Sequence, residues 1–356
     1  MAYAIVSALL FGVSAPLSKL LLAQVDPIAL AGLLYLGAGA FLGILAVASR
    51  AFAPSSRGRA SAHREAGLER QDVPWLAGAV VAGGVAGPIL LLLGLATTPA
   101  ASASLLLNFE VVATALIAGA FFREAVGGRT WAAVAAVSAG GALLSVDPSA
   151  GWGFAPGALL ILGACVFWGL DNNLTRQISL RDPKLITTVK GLVAGSFSLG
   201  LAFGLGRPLP SYGAVLAALA VGAACYGASI ALFVRSLRSL GTARTGAVFA
   251  AAPFAGAVLS FALFPEAPRI SFYGGAALMV LALVLLLRER HAHRHTHEPV
   301  VHTHAHVHDE HHAHSHAGEP AGGTPRHSHA HTHEPFEHSH PHTPDAHHRH
   351  SHDTSE

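Results

Sequence analysis

Residues 2 to 288 divide into ten apolar stretches, at 2–23, 27–49, 74–96, 102–121, 131–147, 156–177, 183–205, 212–235, 243–264 and 269–288. Each is close to the length of about 20 apolar residues that a helix needs to cross a bilayer, the fifth being the shortest. Main-chain amides in hydrocarbon have no water to bond, so a spanning segment is either a helix or a strand of a closed barrel. These runs lack the period-two alternation of barrel strands. The sequence therefore predicts an all-α integral membrane fold. Composition agrees: hydrophobic residues are 52% and charged residues 12% of the chain, with a mean hydropathy of +0.49, whereas soluble domains carry about a quarter charged residues.

The basic residues report topology. Arg50, Arg57, Arg59, Arg64 and Arg70 lie between the second and third stretches. Arg123 and Arg129 follow the fourth, Arg176, Arg181 and Lys184 the sixth, Arg235, Arg238 and Arg244 the eighth, and Arg288 and Arg290 the tenth. The other face has Lys19, Arg207 and Arg269. The positive-inside rule then places both termini in the cytoplasm of a plasma (inner) membrane protein. No basic patch points to nucleic acid. The first stretch lacks a basic n-region and a small-residue cleavage site, so it is expected to stay as a helix. Cys165 and Cys225 fall inside apolar stretches and offer neither a disulfide framework nor a CxxC site.

The two halves repeat. Phe11-Gly12-Val13 through Lys19 aligns with Trp168-Gly169-Leu170 through Arg176 at an offset of 157, Asp26-Pro27 with Asp182-Pro183 at 156, and Glu124 with Glu266 at 142. One Arg-rich insertion at 50–73 in the first half reconciles the offsets. The expected organisation is a first five-helix repeat over 1–147, a second over 148–290, and a tail over 291–356. Five is odd, so the second copy enters the membrane inverted, an arrangement of secondary transporters that place substrate between the copies. Gly83 and Gly87, in GxxxG spacing, and Gly37, Gly39, Gly43, Gly140, Gly141, Gly195, Gly274 and Gly275 allow close helix packing.

These motifs resemble paired EamA modules of the drug/metabolite transporter superfamily over residues 1 to 289. Asn108-Phe109-Glu110-Val111 running to Glu124 resembles a stretch that starts like Leu-Glu-Pro and closes on Glu, with Val111 at the usual proline. In the second copy Pro253 holds that position and Glu266 closes it. Lys190 fills a basic position seven residues after Asp-Pro, where the first copy has Leu34. The resemblance implies ten helices, cytoplasmic termini and an inverted five-plus-five repeat.

Ionisable side chains deep in a bilayer are costly and mark sites or proton paths. Glu110, beside Asn108, is the leading candidate for coupling to protons or substrate; alternatively it only bonds a neighbouring helix. Asp171, Asn172 and Asn173 align with Ser14, Ala15 and Pro16, and two helix discontinuities there would free main-chain groups for a substrate; an interfacial role for Asp171 is the alternative. Lys190 either snorkels to the surface or pairs with Asp171. Trp168 and Tyr226 are candidates to stack on an organic substrate, and Trp75 and Trp131 are expected interface anchors. Pro16, Pro88 and Pro253 predict bends.

The tail holds 23 of the 24 histidines. They alternate with other residues as His291, His293, His295 and His297, then His302, His304, His306 and His308, then His327, His329, His331 and His333, with His311, His312, His314 and His316 between. Too few apolar residues accompany them to form a core, so disorder is expected. Neutral imidazoles on a flexible chain bind zinc, nickel or copper weakly and exchangeably. No required cofactor and no enzyme signature is present. Three functions follow. A secondary transporter, expected as an exporter of a small organic metabolite or drug, is favoured. A divalent zinc, nickel or cobalt transporter that captures metal on the tail comes second, weakened because no apolar stretch contains histidine. A metal sensor or scaffold without transport is third. Lipid and a small-molecule substrate are the expected partners; the oligomeric state is open, a homodimer included.

Overall fold

The computed structural model describes residues 1–51, 67–122, 128–147, 153–179, 181–240, 242–265, 267–287, 291–296, 301–306, 327–332 and 337–342. Up to residue 287 the described residues are helical apart from one small hairpin and the connecting turns. The elements are α1 (Ala2–Gly12), α2 (Ser14–Leu21), α3 (Pro27–Ala51), α4 (Val73–Ala79), α5 (Gly87–Thr97), α6 (Ala100–Leu106), α7 (Phe109–Phe122), α8 (Gly128–Ser145), α9 (Pro156–Gln177), α10 (Pro183–Gly204), α11 (Tyr212–Val221), α12 (Ser229–Leu240), α13 (Thr242–Phe249), α14 (Ala252–Leu263) and α15 (Ile270–Leu287). The hairpin pairs β1 (Val146–Asp147) with β2 (Gly153–Phe154) and joins α8 to α9.

Among the described residues, seven stretches are long and apolar enough to cross a membrane: Ala2–Leu21, Pro27–Ala48, Arg70–Thr97, Ala100–Phe121, Pro156–Gln177, Pro183–Gly204 and Tyr212–Ser236. Ala252–Leu263 and Ile270–Leu286 are shorter apolar helices. Two of the three expected spans missing from this set have physical causes. The ninth stretch is broken between α13 and α14. The fifth, α8, is diluted by Arg129, Thr130, Ser138 and its alanines and glycines. Apolar side chains cover the outside, with Phe121 80% and Ile44 70% exposed. That is the surface of a protein bathed in lipid rather than water.

The helices are irregular in pairs. Residues Val80–Ala86, between α4 and α5, and Gly222–Ala228, between α11 and α12, wind as π-helix. The chain leaves helical geometry between α6 and α7 and again between α13 and α14. α1 gives way to α2 at Val13. By contrast α9 runs unbroken through Asp171, Asn172 and Asn173. The expected discontinuity there does not form, because the polar side chains bond across to neighbours and to the turn below, leaving the main-chain ladder intact.

Two extended helices, α3 and α10, cross at the centre on a seam of small residues. A methyl added at Gly39 would lie 2.7 Å from the Leu192 amide nitrogen, and one at Gly191 2.8 Å from the Gly39 Cα. At Gly195 it would meet the Leu36 nitrogen at 2.7 Å, and at Gly32 the Gly195 carbonyl oxygen at 2.9 Å. The main buried cluster lies beside this seam, where Leu30 and Leu34 of α3 join Leu91, Leu92 and Leu95 of α5 and Ile161 of α9. At one end Arg181 clasps the turn before α4, bonding Glu69 (2.6 Å) and Asp72 (2.8 Å). The Glu69 bond raises the guanidinium pKa, against the opposing effect of burial. At the other end Lys19 donates to the Leu95 and Thr98 carbonyls, and Arg207 pairs with Asp26.

In the tail, β3 (His291–Thr296) pairs antiparallel with β6 (Glu337–His342), and β4 (Val301–His306) with β5 (His327–Thr332). The rest of the tail, for which disorder is the expectation, lies outside the described residues. His297, His308, His311, His312, His314, His316 and His333 lie outside the described residues, as do Glu124, Glu266 and most of the Arg-rich insertion.

Candidate functional site

The site begins with a missing hydrogen-bond donor. In the π-helical turn before α5 the Gly87 amide bonds the Ala82 carbonyl, five residues back. The next carbonyl, Gly83, would take its partner from residue 88, which is proline and has no N–H. Two side chains supply the donors instead. Tyr35 Oη of α3 donates to the Gly83 oxygen at 2.6 Å and Trp168 Nε1 of α9 at 3.1 Å. One orphaned carbonyl thus ties three helices together and fixes both rings.

The glycines that allow this approach also make room for a charge. A Cβ at Gly83 would overlap the Asp171 carboxylate, and one at Gly87 would lie 2.8 Å from Trp168 Nε1. Asp171 is buried at 5% exposure. Its Oδ2 pairs with Lys190 Nζ of α10, and its Oδ1 accepts from Thr175 Oγ1 at 3.0 Å. Lys190 therefore turns inward and does not snorkel. Such a pair repays its desolvation only when its remaining lone pairs are also bonded, as Thr175 does here.

A second polar group lies on α7. Asn172 Nδ2 donates to Glu110 Oε1 at 2.8 Å and to Thr114 Oγ1 at 3.1 Å. Asn173 locks α9 to α7 by donating to the Thr114 carbonyl at 3.1 Å. Asn172 is exposed, yet it lies roughly 120–140° round the helix from Val166 and Phe167, whose side chains face outward. Its exposed side is therefore turned away from those residues.

A row of aromatic rings adjoins these groups, starting from Tyr35. Tyr226, in the π-helical turn between α11 and α12, lies 6.1 Å from Tyr35 and 6.0 Å from Phe11, ring centre to ring centre. Phe249 and Phe233 extend the row at 5.1 and 4.8 Å. The structure thus brings together Trp168, Asp171, Asn172, Lys190, Glu110 and Tyr226. Asn108 is set apart: it donates to Leu105 O, with Met279 Sδ at 3.7 Å. Tyr35, Phe11, Thr114, Thr175 and the Gly83 carbonyl were not among the sequence candidates. Tyr35 resembles an ordinary packing residue; the signal that could have found the Gly83 carbonyl is Pro88, which has no N–H to give it.

A separate cavity of about 310 Å³ opens at the end carrying Lys19. Thr98, Ser102, Ser260, Arg269, Ser271 and Phe272 are among the residues that line it.

Long apolar helices wrapped around a buried ion pair and an aromatic wall define a multi-pass membrane protein built to admit a solute. The chain belongs to the EamA-like transporter family, whose model matches residues 1–146 and 155–288. It is 28% identical over 269 residues to an uncharacterized transporter of Methanothermobacter thermautotrophicus (strain Delta H), covering 74% of this chain and 78% of the relative. A solved crystal structure matches 80% of this chain and 96% of its own with a TM-score of 0.56 at 20% identity. That likeness shows a common fold.

Proposed function

We propose that this protein is a gradient- or exchange-driven exporter of a small organic metabolite or drug, built as ten membrane passes in an inverted five-plus-five repeat with both termini cytoplasmic. The observation that carries the reading is the paired irregularity of the two halves. Val80 to Gly222 and Ala86 to Ala228 are both separations of 142 residues, the offset that also relates Glu124 to Glu266. The breaks after Leu106 and after Phe249 fall in the matching helices. Helix irregularities at a shared interface supply main-chain groups and bending points to a central site.

The halves contribute unlike walls. By the same offsets Trp168, Asp171 and Lys190 correspond to Phe11, Ser14 and Leu34, and Gly84 to Tyr226. One wall is charged and the other aromatic, which suits an organic solute with a polar end better than a metal ion. The tail belongs to a different chemistry. Its ladders set His291 opposite His342, His293 opposite His340 and His295 opposite His338. They also set His302 opposite His331, His304 opposite His329 and His306 opposite His327. A chain segment so rich in imidazole suits weak binding of zinc, nickel or copper, as buffer or regulator outside the pore. Counterflow in proteoliposomes tests the main reading. Saturable exchange of an aromatic organic solute, lost in Lys190→Ala, is expected. Exchange of zinc with no organic class exchanged would overturn it in favour of a metal transporter.

A further inference from the structure

The cavity at the Lys19 end is shared between the two halves. Thr98, Ser102 and Leu144 bring the first of the two family matches to its wall, and Ser260, Arg269 and Phe272 bring the second. At about 310 Å³ it has room for a small molecule rather than a single ion. Among the described residues of its lining Arg269 is the one ionisable group, and a guanidinium stays charged at any physiological pH. Lys19 sets a second positive charge behind the wall, where its ammonium donates to the Thr98 carbonyl. Hydroxyls accompany these charges. Ser102 and Ser271 are half-buried, and Thr98 is 4% exposed with an Oγ1 that has no hydrogen-bond partner among the described residues. Buried polar side chains nearly always have a partner, so this wall has a donor to spare for a polar guest. The remaining lining is apolar, with Phe261 edge-on to Phe272 at 5.2 Å. Phe261 is also exposed on the outside of α14, as are Leu263 and Ile270 close by in the chain. The lipid-facing surface thus runs up to the edge of the cavity.

We infer that this cavity binds the phosphate headgroup of an anionic phospholipid and holds it between the two halves. The planar fork of Arg269 suits phosphate oxygens, which accept two parallel bonds from it, and the Ser102 and Ser271 hydroxyls donate to the same group. Phe261 and Phe272 cover the first methylenes of the acyl chains. A free phosphate would use the same donors but gain nothing from the phenylalanines, which is why the occupant is assigned to the membrane and not to the water beside it. A guest that touches both halves binds only while these walls stay together, so it favours the arrangement described here over one in which they part. The assignment concerns the lipid around the protein and is independent of the solute that the pore carries.

The test uses the full chain in detergent, with phosphatidylglycerol and phosphatidylcholine carrying the same oleoyl chains, and with inorganic phosphate. Native mass spectrometry reads the lipid retained, and the thermal unfolding midpoint reads its effect. About one phosphatidylglycerol per chain is expected to bind saturably and raise the midpoint, about tenfold or more tightly than phosphatidylcholine, whose headgroup has no net charge to offer Arg269. Arg269→Gln should weaken that binding about tenfold or more, and Arg269→Lys less, since the charge stays and the fork goes. Ser102→Leu fills the cavity with Arg269 in place and should abolish the binding, which decides the matter if Arg269→Gln does not fold. Arg207→Gln removes a charge at the same end outside the cavity and should leave the binding unchanged. Equal binding of phosphatidylcholine, no binding of phosphatidylglycerol, affinity unchanged in Arg269→Gln or in Ser102→Leu, or an equal loss in Arg207→Gln each overturns the inference. A midpoint rise matched by inorganic phosphate would make this a site for a free anion and overturn the lipid assignment.

Discussion

Asp171 and Lys190 can be tested singly and together, because a buried pair behaves differently from its parts. Removing one partner strands the other charge at a cost of roughly 3–5 kcal/mol, whereas removing both leaves no charge to solvate. Lys190→Met should therefore lower the thermal unfolding midpoint more than the double variant Asp171→Asn/Lys190→Met, and equal or additive losses would show that the two are not coupled. Gly83→Ala places a methyl on the Asp171 carboxylate. It should abolish counterflow with the protein still inserted, whereas Gly43→Ala, whose methyl meets Thr188 Cγ2 at 3.4 Å, should be close to neutral. At this scale the sequence was informative where chemistry is rare. A lone Asp, Lys or Glu in an apolar helix stands out, which is why Asp171, Lys190 and Glu110 were legible. Tyr35 was not, since its role depends on a carbonyl 48 residues away.

The helix from Arg70 to Thr97 shows how one residue type shapes an element. Pro88 withholds the amide that Gly83 needs, and the π-helical turn before it moves that carbonyl onto Tyr35 and Trp168. Pro88→Ala returns an N–H and lets the main chain reclaim the carbonyl. In the wild type Tyr35→Phe should cost about 1 kcal/mol; in the Pro88→Ala background it should cost close to nothing, as a double-mutant cycle on unfolding would read. The apolar stretches located most helices, because bilayer thickness sets their length. Hydropathy did not show the π-helical turns or the breaks at Leu107 and Ala250, since one extra residue in a turn leaves composition unchanged. The aligned polar cluster suggested a discontinuity in α9 that the side-chain bonds of Asn172 and Asn173 make unnecessary.

For the molecule as a whole, the proposed inverted arrangement would put the connections at its two ends on opposite sides of the membrane. Cysteine placed at Gly67, beside the Arg181 clasp, and at Leu209, beyond Arg207, should react with an impermeant thiol reagent from the cytoplasmic and outer sides respectively; labelling of both from one side would end the topology. Cys165 and Cys225 are buried and give a quiet background. Truncation after Arg290 should leave an inserted bundle with unchanged counterflow, because the helical cores are formed by residues before that point. The central seam has a mechanical consequence. Where α3 and α10 meet, the glycines of each helix sit against the main chain of the other and against the Leu36, Leu192 and Leu199 side chains, so pulling the helices apart forfeits tight contact along the seam. Such a contact would serve as a bearing for one half moving against the other: stiff to separation, with only a few leucine side chains to ride over the glycines in a slide.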